Sequence, residues 1–419
     1  MRCSLAFAAF AALSVVACQS VIEVTAAQAG ALEDEFDAAV KDGKVWLTSR
    51  YRYEYVDQDG LPERARASTL ATKVGVESGL VHGFRVGVEG EFVLELGPDD
   101  FNNTINGNTQ YPIVADVQSA EVDQAYIESH HIPGVVIKGG RYLENLDNMR
   151  YVGSVAWRQN DQTFDGATAT ITALPGVTGF YGYIGNVNRI LSDRSPEGNW
   201  ESNVHLFHAE SAPLPIGTLT GYAYLMDIDD APALSNASYG GFLTGNQDLG
   251  GGLKFNYRLE YARQTDYGNQ PVGYDASYVR VEPGLSWGGL TTSLVYELLG
   301  SDSGVGFQTP LATGHVFNGF ADVFLNTPAL GLQDYYVDVR YRVTGMSGDL
   351  SCLNGLLLIG QYHEFTSDIG DVEYGSELDF YSKLPLRDGF YAELKYASYR
   401  AESYATDREK VVFGLGYAY

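Results

Sequence analysis

From Val45 to the last residue the chain alternates apolar and polar side chains over stretches of about ten residues, separated by turn-forming residues. Val45, Leu47, Tyr51, Tyr53 and Tyr55 fall on one face of the first stretch, and Arg50, Arg52 and Glu54 on the other. A helix would mix the two sets, whereas a strand, with its period of two, separates them. A hairpin pattern follows. Leu70, Thr72, Val74 and Val76 oppose Lys73 and Glu77, and after Ser78-Gly79 the set Phe84, Val86, Val88, Phe92 and Leu94 opposes Arg85, Glu89, Glu91 and Glu95. The division recurs at Leu253, Phe255, Tyr257, Leu259 and Tyr261 against Lys254, Asn256, Arg258 and Glu260. It recurs again at Tyr335, Val337, Val339, Tyr341 and Val343 against Asp338, Arg340 and Arg342. Less regular strands are predicted at 119–129, 135–142, 163–172, 179–187, 202–211, 218–228, 237–244, 274–282, 290–299, 355–365, 376–384 and 390–399.

The last stretch closes the pattern. Val411, Phe413, Leu415, Tyr417 and Tyr419 alternate with Val412, Gly414, Gly416 and Ala418, and the chain ends on the aromatic. An outer-membrane barrel ends this way, and Phe413, Leu415, Tyr417 and Tyr419 are the expected closure signal for the barrel-assembly machinery. The terminal strand of a secreted β-sandwich would alternate in the same way, but a charged face repeated on many long strands does not suit a dry sandwich core. The fold class predicted is all-β: a single transmembrane antiparallel barrel of about 16 to 18 strands, eighteen favoured, spanning residues 30–419. At that size a barrel leaves an aqueous channel.

The N-terminus adds a location. Basic Met1-Arg2, the apolar run Leu5 to Ala17 and the small-x-small site Ala27-Gln28-Ala29 make residues 1–29 a secretory signal peptide. A competing reading takes Val15-Val16-Ala17-Cys18 as a lipoprotein box with Cys18 acylated. Removing 1–29 leaves Cys352 as the single cysteine, so no disulfide framework forms. No apolar stretch of about 18 residues follows the signal, which leaves strands as the means of crossing a membrane. The expected location is the outer membrane of a Gram-negative cell, with lipid and lipopolysaccharide as surroundings. The formal net charge of −26 argues against a nucleic-acid partner. Thirty tyrosines and 48 glycines suit interface girdles, turns and crowded wall positions.

Several motifs resemble the alginate export family of outer-membrane porins. They are Arg50-Tyr51-Arg52-Tyr53-Glu54 with Ala67-Ser68-Thr69; Gly140-Arg141 to Leu146-Asp147-Asn148 and Arg150; Gly153; Trp157-Arg158-Gln159-Asn160; and Gln162-Thr163-Phe164-Asp165. Gly300-Ser301-Asp302, Phe307 to Thr313, Asn318 to Asp322, and Leu332-Gln333-Asp334 add to them. The resemblance covers most of the mature chain. It implies one monomeric barrel acting as a passive diffusion channel, with a basic constriction that selects anionic uronates in the best-known members. The acids interleaved with the bases here make strong anion selectivity a separate question.

Parity assigns Arg50, Arg52, Lys73, Arg85, Lys254, Arg258, Arg340 and Arg342 to the lumen, where a ladder of forked guanidinium groups can bind carboxylates. The same bases can instead pair with Glu54, Glu77, Glu89, Glu91, Glu260 and Asp338 to satisfy a polar wall. Arg141, Arg150, Trp157 and Arg158 lie in a segment with little alternation, and they either narrow the pore or lace loops together. The stretch from Gly300 to Asp334, with apolar Phe317, Phe320, Val323 and Phe324, either folds into the mouth or hides another strand. Acidic turns at Asp227-Ile228-Asp229-Asp230 and Asp99-Asp100 read as solvated loops more readily than as calcium sites. No metal and no cofactor is expected. No G-x-S-x-G motif accompanies the seven histidines, and His205 and His208 fall on opposite strand faces, so catalysis is not expected. The function expected is passage of small hydrophilic or anionic solutes, uronates or other saccharides among them; a barrel hydrolase and an adhesive or structural barrel are the alternatives.

Overall fold

The computed structural model describes residues 39–419, so the expected signal peptide over 1–29 and the alternative acylation site Cys18 lie outside the described residues. Twenty strands follow in chain order: β1 (Lys44–Gln58), β2 (Ala65–Glu77), β3 (Phe84–Glu95), β4 (Ser119–Ile132), β5 (Val135–Tyr142), β6 (Thr163–Ile171), β7 (Val177–Asn188), β8 (Asn199–Ser211), β9 (Thr218–Ile228), β10 (Asn236–Gly250), β11 (Leu253–Thr265), β12 (Asp275–Trp287), β13 (Leu290–Leu299), β14 (Ser301–Asp302), β15 (Val305–Gly306), β16 (Leu332–Arg342), β17 (Leu357–Thr366), β18 (Glu373–Pro385), β19 (Phe390–Ala401) and β20 (Arg408–Ala418). Eighteen of them form one sheet in which each strand pairs antiparallel with its neighbours in sequence. β14 and β15 form a separate two-stranded hairpin inside the connection from β13 to β16. β20 pairs back onto β1, from Thr48↔Ala418 to Gln58↔Arg408, so the sheet has no free edge.

Side-chain burial follows the parity read from the sequence. On β1, Val45 and Leu47 are exposed on the outside while Arg52, Glu54 and Val56 are buried inside. Phe413 and Leu415 of the closing strand face outward, as do Leu259, Tyr261, Val337 and Val339. This outward apolar belt is what lipid requires, and no helix among the described residues is long and apolar enough to cross a membrane.

The tyrosines and glycines of the wall work as pairs. Trp46 lies opposite Gly75, and Tyr391 opposite Gly416. A Cβ on either glycine would lie 2.1 Å from the facing ring, so the aromatic side chain covers the space a side chain would otherwise fill.

The two ends of the barrel differ. Turns such as those between β10 and β11 or β12 and β13 are tight, whereas residues 96–118, 143–162 and 300–331 make long connections at the other end. All three fold inward: Phe101, Val117, Val152, Arg158, Phe307 and His315 are buried. The 300–331 stretch thus takes the inward course, adding only the short hairpin and no barrel strand.

Two of these connections are zipped together. Gly153 N–H donates to the Leu311 carbonyl (2.9 Å) and Thr313 N–H to the Met149 carbonyl (3.1 Å). Tyr151 from the first and Phe307 from the second pack with Tyr222, Tyr224 and Tyr278 of the wall, ring centroids 5.0–6.1 Å from Tyr151. This aromatic mass fills the lumen against β9 and β12. Open space remains along β1 and β16–β20.

Candidate pore constriction

Two cavities lie in that remaining space. The one nearer the long connections, about 650 Å³, is lined among others by Arg158, Arg189, Arg408, Lys410, Asp322 and Tyr404. The inner one, about 320 Å³, is lined by Arg50, Arg52, Arg340, Lys395, Glu393, Gln361, Tyr381, Phe320 and neighbouring apolar groups. Trp157 and His315 are the residues that line both. They form the partition. Their rings stack with centroids 3.4 Å apart and an interplanar angle of 12°.

Each ring is held by its own connection. Val155, two residues before Trp157, adopts φ +54°, a conformation costing about 1–3 kcal/mol for a β-branched residue, and its N–H donates to Thr313 Oγ1 at 3.0 Å. From β1, Arg52 donates to the Trp157 carbonyl (2.5 Å), and Arg50 donates to the Ala156 carbonyl (3.0 Å), to the Arg158 carbonyl and to Gln159 Oε1 (3.0 Å). Cations surround the indole: Arg158 at 4.0 Å, Arg52 at 4.6 Å, Lys395 at 5.1 Å and Lys410 at 5.5 Å from its centroid.

Behind the partition the charges balance. Glu54 accepts from Arg52 (2.8 Å) and Arg158 (3.0 Å), Arg158 also faces Asp116 (3.6 Å), and Lys410 bridges Glu54 (3.7 Å) and Asp322. Three acids thus meet three bases. Burial favours a neutral Arg158, but Glu54, Asp116 and Asp322 outweigh it and hold its pKa above the ordinary arginine value. His315 donates from Nδ1 to Asp322 Oδ1 at 2.6 Å and its Nε2 accepts from Lys395. Burial, reinforced by Lys395 and Lys410 against the pull of Asp322, holds this imidazole well below its usual pKa, so it is neutral. In the inner cavity Arg52 is already paired with Glu54 and Arg340 is forked onto Asp338 (2.7 and 3.1 Å), which leaves two bases, Arg50 and Lys395, facing one acid, Glu393.

The sequence-derived lumen residues therefore divide. Arg50, Arg52, Trp157, Arg158 and Arg340 converge on the partition and its two cavities. The others point inward but serve the wall. Lys73 sits among Glu91 (2.6 Å), Asp123 (3.5 Å) and Asp161. Arg85 faces Glu77 and Glu128. Arg141 is forked onto Asp165, Arg150 is buried on Glu297, and Arg258 is bound to Glu260 over the Phe242 ring. Arg342 reaches the Gly355 carbonyl at the short-turn end, where Lys254 is exposed. Lys395, Lys410 and His315 escaped notice in the sequence. The lysines had a signal, since Lys395 shares its parity with Glu393 and Lys410 with Val412. His315 had none, because its neighbours are set only by the folding of the loop.

Among the described residues, the one carboxylate and histidine group compact enough to hold a metal is Glu91, Asp123 and Asp161, with the Lys73 ammonium beside it. His205 hydrogen-bonds the Tyr181 hydroxyl, while His208 reaches Asp147 in the inward 143–162 connection, so the two diverge as their spacing implied.

No protein-family model matches this chain, and no curated protein matches it in sequence. Solved structures do match its fold. The outer membrane protein OpdK of Pseudomonas aeruginosa superposes with a TM-score of 0.68 at 17% identity, covering 90% of this chain and 99% of that one. The fold is that of an outer-membrane porin. OpdK crystallised with vanillate gives a TM-score of 0.70 at 18% identity over 90% of this chain and 99% of that one. OccAB4 of Acinetobacter baumannii gives 0.70 at 14% identity, over 90% and 98%. The expectation of an eighteen-stranded porin-type barrel stands at this level, while these neighbours are Opd and Occ proteins and give no support to the alginate export family in particular.

Proposed function

We propose that this barrel is a passive outer-membrane channel for small solutes carrying a carboxylate. The observation that carries the reading is the inner cavity, where Arg50 and Lys395, neither of them ion-paired, face the single acid Glu393 beside aromatic faces. A carboxylate passing there gains charge-assisted hydrogen bonds from Arg50 and Lys395, and its body can slide along Phe320 and Tyr381. The solute path is assigned to these residues with Arg52, Trp157 and Arg158. OpdK, a neighbour in fold, has been crystallised with vanillate, itself a carboxylate, which is consistent with this reading. Polyuronates, suggested by the alginate-export resemblance, carry the same group, but a cavity of about 320 Å³ suits one small acid better than a polymer segment. The buried histidines His315 and His363 each hold an aspartate on Nδ1, but their other ring nitrogens meet Lys395 and Asp379 instead of a hydroxyl or thiol, so neither forms a nucleophile triad.

The test is a planar bilayer under a salt gradient. Wild-type protein should give stepwise currents with a reversal potential favouring anions, and Lys395→Gln with Arg50→Gln should move it toward zero by removing the two bases that no carboxylate pairs. Absence of channels would sink the proposal, and cation selectivity would remove the carboxylate part.

A further inference from the structure

We infer that the outer of the two cavities is a capture site for aliphatic monocarboxylates, held on the long-connection side of the Trp157–His315 partition. The inference rests on the channel reading and names the class of solute that the channel favours.

Two side chains of the mouth do not suit a plain water-filled vestibule. Ile113, on the 96–118 connection, is 58% exposed, and Leu325, on the 300–331 connection, is 51% exposed. Neither lies on a barrel strand, so lipid does not account for the exposure, and both line the outer cavity of about 650 Å³. Ile190, Leu234 and Val323 add branched aliphatic wall to the same space. Single exposed aliphatics are ordinary on a protein surface, but several gathered in one concavity offer apolar area that a ligand with a hydrocarbon body covers.

The cavity also holds polar groups without partners. Arg408 directs one amino group at the carbonyls of Ala321 (3.0 Å) and Asp322 (3.2 Å). Its Nε–H is buried without a hydrogen-bond partner, and no carboxylate forms an ion pair with it among the described residues. Trp200, only 6% exposed, lines the cavity too, and its indole Nε1–H has no partner either. Unsatisfied buried donors are rare and mark a place where an acceptor belongs. An unpaired guanidinium and a free indole N–H in one aliphatic-walled cavity fit a molecule with a carboxylate at one end and hydrocarbon at the other.

The rings of the cavity favour an aliphatic body over an aromatic one. Stacking needs a free face, and these faces are engaged: Arg189 lies 3.9 Å over the Trp200 ring, while His315 stacks on Trp157 with Arg158 4.0 Å from the same ring. Tyr404 is stacked on Phe324, centroids 5.3 Å apart. Branched side chains remain as the open apolar surface, and they favour hydrocarbon area whether or not it is flat. Past the partition, Arg50 and Lys395 present the next cations to the same carboxylate.

Current block through the full barrel in a planar bilayer tests this, with butanoate, hexanoate, octanoate, benzoate and gluconate added on the long-connection side. Each added methylene should lower the half-blocking concentration by about twofold to fourfold, the span from half to full burial of the group. Gluconate should block no better than butanoate. Ile113→Ser combined with Leu325→Ser should flatten the chain-length dependence, and Arg408→Gln should weaken block by every acid to a similar degree. Heat-modified migration on gels checks that each variant stays folded. Tryptophan fluorescence of the barrel in lipid nanodiscs supplies a readout independent of current: octanoate should change it in wild type and not in the double serine variant. Block that ignores chain length, with no fluorescence response, would overturn the site and leave the channel standing. Benzoate blocking more strongly than octanoate would overturn the aliphatic assignment. Protein that gives the fluorescence response yet forms no channel would sink the channel reading and keep the site.

Discussion

Trp157 is the residue on which the constriction turns, with four cations around its ring and the neutral His315 stacked upon it. The neutrality of His315 has a pH consequence. The groups facing it are Asp322 of its own connection, Trp157, Lys395 of β19 and Lys410 of β20. Burial would raise the pKa of Asp322, but His315, Lys410 and Arg158 hold it well below the usual carboxylate value, so it stays charged through mildly acid conditions. The buried His315 binds a proton less readily than a free imidazole. The His315–Trp157 partition is thus unaffected above the ordinary histidine value of about 6.5 and weakens as pH falls below it. Currents recorded from about pH 7.5 to about pH 5 should gain a larger open level at the acid end, and His315→Gln should lose that dependence. An identical pH response in the variant would assign the titration to another group. Parity made Arg50 and Arg52 legible as inward residues, and Trp157 and Arg158 were legible by their setting among bases. Which of the inward bases are free for solute was not legible, because each Arg or Lys is decided by a carboxylate that folding brings near: Asp161 to Lys73, Glu297 to Arg150.

At the scale of the element, strands were the readable part. Weak segments such as 218–228 and 290–299 match β9 and β13 end for end, because their alternation records a wall between lipid and lumen. Bulges blurred others: the ladder shifts between Glu89 and Gly90 opposite β4, so the alternation of Asp123 and Tyr126 breaks. The inward fold of 143–162 and 300–331 left only an ambiguous trace, since apolar loop residues such as Phe317 and Phe320 fit a strand equally well. The ring-over-glycine pairs give a test at this scale. Gly416→Ala forces the Tyr391 ring off its seat, an overpacking cost of about 1–3 kcal/mol, and should lower the heat-modification temperature of the barrel. An unchanged transition would mean that the ring moves aside freely.

Across the whole molecule, a chain of net charge −26 surrounds a constriction rich in bases. Acids gather at the long-connection rim, where Asp57, Asp59, Glu63 and Asp100 line one pocket with Arg64 and Arg66. Exposed charges are screened over about 3 Å at 1 M salt against about 10 Å at 0.1 M, and buried ones much less. Raising salt on the rim side alone should therefore increase anion entry from that side more than the same change made at the other end, measurable as rectification; symmetric currents would show the rim to be electrically idle. The seam between β1 and β20 carries a consequence for the order of events. Arg50, Arg52 and Glu54 come from the first strand of the barrel, and Lys395, Arg408 and Lys410 from the last two, more than three hundred residues later in the chain. These groups become neighbours only when the cylinder shuts. An unclosed intermediate lacks the partition, so the same final pairing that makes the wall continuous also installs its filter, and a half-built barrel cannot leak selectively.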